Sequence, residues 1–227
     1  KTLNEMEDAT AYAVASRDLA KAQAFAEKNQ IEKAYGSYEE LFADPEVELV
    51  YVATPHSHHY QYMKMALEAG KPVLCEKAFT ANAAQAEEIF RISEEKGIFA
   101  GEAMWTRFLP SRAMIDEVIR SGEIGKVHMI TANLGYDIKN VERLRNPELA
   151  GGALLDVGIY PLTFIRMITD AKIKSMDTSC VKLETGVDAQ NAATFIFEDG
   201  CMASMHSSML GGTEQAGIVY GDKGYLI

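Results

Sequence analysis

Cysteine, positive charge and long apolar runs are all scarce in this chain of 227 residues. Cys75, Cys180 and Cys201 are odd in number and widely spaced, which argues against a disulfide framework and for free thiols in a reducing, cytoplasmic setting. Lys and Arg total 22 against 33 Asp and Glu, for a net charge of −11. A general attraction to nucleic-acid backbone is therefore not expected, and an anionic ligand must be met by a local cluster of donors. The apolar runs are strand-sized, so no membrane partner is expected. No signal-peptide pattern is visible, although Lys1 is not an initiator methionine. The length is generous for one domain and comfortable for two small ones. Internal repeats and low-complexity tracts are absent.

The first half alternates strand and helix. Residues 11–15 predict a strand, and 18–29 a helix with Asp18 as cap and Ala22, Phe25 and Ala26 on its inner face. An extended piece at 33–35 precedes Ser37 and Glu40, which have capping-box spacing for a helix ending at Asp44-Pro45. Residues 49–53 form a near-continuous apolar run, as for a strand buried on both faces. A helix from about Ser57 turns Tyr62, Met63, Ala66 and Leu67 inward and stops at Gly70. Val73, Leu74 and Cys75 then form a short strand. Residues 80–96 are helical, with Ala83, Ala86, Ile89, Phe90 and Ile92 on the apolar side, and 98–102 make a further strand. This rhythm implies a parallel sheet covered on both faces.

The rhythm changes after Trp105. A helix at 111–120, a long alternating segment at 126–136 and a polar, loop-like stretch at 140–150 precede a helix starting near Pro161. From Lys174 onward the text is strand-like, and Glu198-Asp199-Gly200 gives a hairpin signal. The expected architecture is a doubly wound α/β dinucleotide-binding domain over 1–106 and an α+β domain over 107–227 with a mainly antiparallel open sheet. One part is missing. Such a sheet normally starts with a strand leading into G-x-G-x-x-G, and no such fingerprint occurs. That first strand sits mid-sheet, so the strands at 11 and 49 would flank an empty slot. Further residues are expected before Lys1, and Lys223-Gly224-Tyr225-Leu226-Ile227 looks like a strand cut short.

Several stretches can carry chemistry. Glu76 and Lys77 fall where a strand runs out, and ligands bind outside the carboxyl ends of strands in such sheets. Ser16, Arg17 and Lys21 follow the strand whose end contacts the ribose. A small hydroxyl and an arginine there favour NADP over NAD, since guanidinium can grip a 2′-phosphate. Ala53-Thr54-Pro55-His56 forms a tight turn towards a cofactor, with His59 as a buried polar anchor. Three histidines in four positions invite zinc, but no carboxylate or cysteine lies near in sequence, so no metal is expected. Trp105 and Arg107, with Phe108, can line a flat, partly apolar pocket. In the stretch from Gly151 to Tyr160, Asp156 and Tyr160 stand at i, i+4 spacing and share a helix face. A tyrosine beside a lysine can serve as proton donor, because a nearby cation favours its phenolate, and hydride transfer to a carbonyl needs one donor to the developing alkoxide. Each stretch also has a plainer reading: a solvated Glu–Lys pair, a capping serine beside a surface arginine, interdomain packing, a capping Asp and a core Tyr.

Taken together, these motifs resemble the Gfo/Idh/MocA oxidoreductase family, dihydrodiol dehydrogenase-like group, over essentially the whole chain. The family's Glu-Lys-Pro motif is matched by Glu76-Lys77-Ala78, with Ala in place of Pro. Thr54-Pro55 and His59 match its cofactor turn. Glu102 to Pro110 resembles the dihydrodiol dehydrogenase group. Gly151 to Tyr160 matches the Gly-Gly…Asp-x-Gly-x-His pattern, with Tyr160 where many relatives have His. The resemblance implies NADP-dependent hydride transfer to or from a carbonyl or secondary alcohol of a small sugar, cyclic diol or dicarbonyl. Tyr160 would be the acid/base. Lys77 would favour its phenolate and touch the cofactor, and Asp156 would orient substrate or lysine. Trp105 and Arg107 would line the nicotinamide and substrate pocket. It also implies a homodimer through the open sheet. An NAD-dependent glycosidase on the same scaffold and a non-catalytic cofactor-sensing regulator remain as alternatives.

Overall fold

The structure, a computed structural model, describes residues 2–227. They fall into two units: one up to Thr54 with His58–Glu102, the other Pro55–Ser57 with Ala103–Ile227.

The first unit is parallel β with crossover helices. Ala13–Ala15 (β1) and helix Leu19–Asn29 (α1) lead to Lys33–Tyr35 (β2), which pairs in parallel with β1. Asp18 caps α1, its carboxylate accepting the Lys21 backbone N–H at 3.2 Å. Ser37 caps Tyr38–Ala43 (α2) by accepting from Glu40 N at 3.3 Å, and the Glu40 carboxylate reaches back to Gly36 N at 3.2 Å. Val50–Val52 (β3), helix His56–Glu68 (α3), Val73–Cys75 (β4), helix Ala83–Lys96 (α4) and Ala100–Glu102 (β5) complete the unit. The order β3-β4-β5 is parallel throughout. Tyr62, Met63, Ala66 and Leu67 of α3 join Val50, Val52, Val73 and Ile89 in one core. Among the described residues, no ladder joins β1 to β3.

Several expectations are corrected here. Phe25 (52% exposed), Ala83 and Phe90 lie outside the buried faces, which are narrower and centred on Ala22 and Ala26 in α1 and on Ile89 and Ile92 in α4. Helix α4 starts three residues late because Asn82 takes the cap, accepting from Gln85 N at 3.1 Å. Strand β3 is covered on one face only: Tyr51 is 52% exposed between buried Val50 and Val52.

Asp44 ties the start of β1 to β2. Its Oδ2 accepts from Lys33 Nζ at 2.9 Å, Tyr35 Oη at 2.5 Å and Tyr12 Oη at 3.2 Å, while Oδ1 accepts Glu46 N at 3.0 Å. The Tyr35 and Lys33 bonds hold its carboxyl well below the ordinary range. A depressed carboxylate stabilises the fold fully above the unfolded value near ~3.9, and that stability is lost as pH falls towards the lowered folded value. Asp44→Asn should therefore melt lower than wild type at pH 7 and show a shallower decline between pH 5 and about 2. Equal acid slopes in thermal melts of the two proteins would mean that Asp44 is not the group responsible.

The second unit is a sheet over one long helix. Helix Pro110–Ser121 (α5) closes at Gly122, and Val127–Gly135 (β6) follows. The stretch expected as loop holds a short helix, Glu142–Arg145 (α6), and a 3-10 turn, Pro147–Leu149. Next come a π-helical turn, Leu154–Gly158, and helix Ile159–Ile168 (α7), so helix begins well before Pro161. Ile173–Lys182 (β7), Asp188–Phe197 (β8), Met202–Ser208 (β9), Gly217–Gly221 (β10) and Tyr225–Leu226 (β11) complete a sheet of order β11-β10-β6-β9-β8-β7. Every pairing is antiparallel except β6 with β9. Ile165 of α7 packs on Ile130, Phe195, Phe197, Ala203 and Met205. Away from α7, Tyr220, Met129, Met202 and Ile196 stand in one register row, the last three exposed. The segment Pro147–Ile168, 22 residues, is also longer and more apolar than the strand-sized runs expected, with an 18-residue window of mean hydropathy 1.3. By length and composition alone it is long and apolar enough to cross a membrane, while Pro161, Thr163 and Ile165 are buried in this unit.

Candidate active site

In the first unit the candidate residues gather at the carboxyl ends of the strands. His59, on the first turns of α3, is fully buried and bridges two carbonyls: Nδ1 lies 2.8 Å from Ala78 O and Nε2 2.7 Å from Thr54 O. The end of β3 is thereby tied to the loop after β4, and the anchor read from the sequence is in place. Three further contacts shape that loop. Lys77 N donates to Glu76 Oε2 at 3.2 Å, Phe79 N to Glu102 Oε1 at 2.9 Å, and Tyr51 Oη to Glu76 Oε1. The Lys77–Ala78 peptide is cis. Burial, then the bond to Glu76, pushes the Tyr51 phenol up, so it stays a proton donor to that carboxylate. Cys75 is fully buried, and its thiol is pushed up by burial and then by Glu102 and Glu76; it is no nucleophile.

Ser16, Arg17 and Lys21 stand together where β1 gives way to α1. Ser16 Oγ accepts Asp18 N at 3.2 Å, and Arg17 and Lys21 are exposed. The Lys21–Asp18 contact, 3.7 Å between exposed groups, is worth at most ~1 kcal/mol and gives way easily to a stronger anion.

In the second unit, His56 is buried with Nδ1 3.0 Å from Ala150 O. Trp105 and Arg107 lie on the 3-10 turn Trp105–Phe108, both exposed. Trp105 Nε1 donates to Tyr160 Oη at 3.2 Å, the rings meeting edge-on at 6.3 Å. Tyr160 lies in the first turn of α7, directly after the π-turn that carries Asp156. Single π-turns inside helices recur at functional sites.

Two residues missed by the sequence reading brace that π-turn. Arg143 Nη1 donates to Asp156 Oδ1 at 3.0 Å. Asp188 Oδ2 accepts Leu154 N at 2.7 Å and Asn191 Nδ2 at 2.8 Å. The Gly-Gly pair is explained by close approach. A Cβ on Gly151 would lie 2.4 Å from Leu144 O, and Gly152, at φ +113°, would place one 2.1 Å from Asp188 Oδ1. Asp188 had only its place in a predicted strand region to signal it. For Arg143, the spacing of Val141 and Leu144 in a polar stretch was the available hint.

Four threonine hydroxyls among the described residues, those of Thr185 and Thr213 included, are buried without a hydrogen-bond partner, and two of the four lie next to candidate residues. These two are Thr54 Oγ1, at the end of β3, and Thr106 Oγ1, beside Trp105. A dinucleotide, rich in donors and acceptors, fits the first of these together with Arg17 and Lys21.

A parallel α/β unit with polar groups gathered at its strand ends, followed by a sheet unit bearing a Trp–Tyr–Asp set, defines the class of two-domain oxidoreductase scaffolds. The chain belongs to the Gfo/Idh/MocA family. Residues 1–102 match the profile described as oxidoreductase family, NAD-binding Rossmann fold, and residues 113–227 match the GFO/IDH/MocA C-terminal domain. It is 39% identical over 213 residues to mouse (Mus musculus) trans-1,2-dihydrobenzene-1,2-diol dehydrogenase, covering 93% of this chain and 64% of that protein. To D-xylose 1-dehydrogenase (NADP(+)) of Hypocrea jecorina it is 45% identical over 177 residues, 70% of this chain and 45% of that one. Among solved structures, a 3-ketoreductase from Actinomadura kijaniata in complex with NADP and TDP-benzene superposes with TM-score 0.86 at 26% identity, covering 97% of this chain and 68% of its own. The chain thus spans under two thirds of the mouse protein's length.

Proposed function

We propose that the protein is an NADP-dependent oxidoreductase acting on a carbonyl or secondary alcohol of a sugar, cyclic diol or dicarbonyl. The observation that carries this reading is the bond from Trp105 Nε1 to Tyr160 Oη, which fixes a phenol beside the turn bearing Asp156. The relatives named for diol and NADP-linked xylose dehydrogenation support it.

Thr54, Pro55, Arg17 and Lys21 would hold the dinucleotide, Arg17 and Lys21 meeting the 2′-phosphate. When bound, the nicotinamide supplies or takes up the hydride. Tyr160 would give its proton to the substrate oxygen in reduction and take it back in oxidation. The Trp105 N–H steadies the phenol oxygen while its charge changes. Lys77 would touch the cofactor, and Asp156 would orient the substrate hydroxyls. Trp105 and Arg107 would line the pocket. We also infer a cytoplasmic homodimer joined through the open sheet face with Met129, Met202 and Ile196, which light scattering at micromolar concentration tests.

The deciding experiment is NADPH and NADH consumption by full-length protein against sugars, diols and dicarbonyls. Faster turnover with NADPH is expected. Sugar cleavage without net NADPH consumption would identify a glycosidase, and NADP binding without turnover a sensor.

A further inference from the structure

We propose that Arg143 is a positioning residue for Asp156, a role that rests on the oxidoreductase reading above. The Asp156 side chain is only 8% exposed, whereas that of Arg143 is 48% exposed. The pair is therefore lopsided: a carboxylate taken out of water, and a guanidinium reaching it from the edge. A carboxylate in that position depends strongly on each donor it has, since removing one partner of a buried charge costs far more than breaking a surface pair.

The scaffold delivers Arg143 with little freedom. It sits on α6, whose Leu144 is buried against Ala153, Val157, Ala189 and Met209. Leu144 O accepts Gly152 N at 2.9 Å, and Gly151 passes so near Leu144 O that no side chain fits there. On the far side of α6, Arg145 pairs with Glu184. One short helix is thus fastened directly to the start of the segment that carries Asp156, and its arginine closes the ring from α6 through Gly151-Gly152 to the carboxylate. Through Nη1, Arg143 holds one oxygen of the Asp156 carboxylate.

Full-length Arg143→Met, Arg143→Lys, Asp156→Asn and the Arg143→Met/Asp156→Asn double variant test this. Arg143→Met should lower kcat about 10- to 100-fold, because a small misplacement of an orienting group is enough for such a loss, with the KM for NADPH within about 2-fold of wild type. Arg143→Lys should recover part of the loss. In the Asp156→Asn background the Arg143→Met change should cost less than about 2-fold more, because the carboxylate that it positions is already gone. A merely structural role would not produce that non-additivity. Losses that multiply in the double variant, or an Arg143→Met kcat close to wild type, would overturn the role while leaving the oxidoreductase reading intact. A wild type inactive on the whole panel would remove both. Should Arg143→Met fail to fold, Arg143→Lys alone and in the Asp156→Asn background gives the same comparison, multiplying losses again overturning the role.

Discussion

Lys77→Met should lower kcat by about a thousandfold, the scale on which general acid–base catalysis and a preorganised charge act together. The loop around Lys77 is shaped by contacts that the substitution leaves alone: His59 between Ala78 O and Thr54 O, Phe79 N on Glu102, and the Lys77 amide on Glu76. A methionine has a similar length and keeps these backbone bonds. The melting temperature should therefore stay within a few degrees of wild type, and the loss should fall on the chemical step. Lys77→Arg is no gentle control, because a planar fork replaces a compact charge. It should also be strongly impaired. Steady-state turnover with NADPH and the best substrate of the panel checks this, and a rate within threefold of wild type would take Lys77 out of the mechanism.

What could be read beforehand follows from which signals are local. The caps at Asp18 and Ser37 and the stop at Gly70 are short-range and came out as expected. So did the hairpin at Glu198-Asp199-Gly200, with Gly200 at φ +85°. Phe25 and Phe90 misled because a ring one position off the Ala22–Ala26 or Ile89–Ile92 stripe still scores as apolar, while only the neighbouring layer decides whether it is covered. The run at 49–53 looked fully buried because alternation is hidden when both faces are apolar; Tyr51 turns out to reach Glu76 instead. The parallel pairing of β6 with β9 joins residues far apart in sequence and leaves no local trace. The π-turn at Asp156 likewise lies against Asp188 and Ser207 from the sheet, which leave no room for a Cβ on Gly152 or Gly158. Arg143 went unnoticed for the same reason: its partner is tertiary. The motif residues themselves were legible. Their braces were not.

Tyr160→Phe is the sharpest probe of the second unit. It removes one oxygen and keeps the ring that meets Trp105 edge-on, so packing at the start of α7 should survive. The expected loss is about 10²- to 10⁴-fold in kcat, the usual range for a missing general acid. Trp105→Phe separates two parts of that effect. It keeps an aromatic ring but deletes the N–H that the phenol oxygen receives at 3.2 Å. Losing one hydrogen bond to a developing charge corresponds to about 1.5–3 kcal/mol, or roughly 10- to 150-fold. The order wild type, Trp105→Phe, Tyr160→Phe is therefore expected in kcat, with cofactor affinity nearly constant between wild type and Tyr160→Phe. Adding Trp105→Phe to Tyr160→Phe should cost little more, because the indole then has no phenol to serve. If Tyr160→Phe retained more than a third of wild-type turnover, the proton would have to come from another group, and the chemistry assigned to the start of α7 would fall.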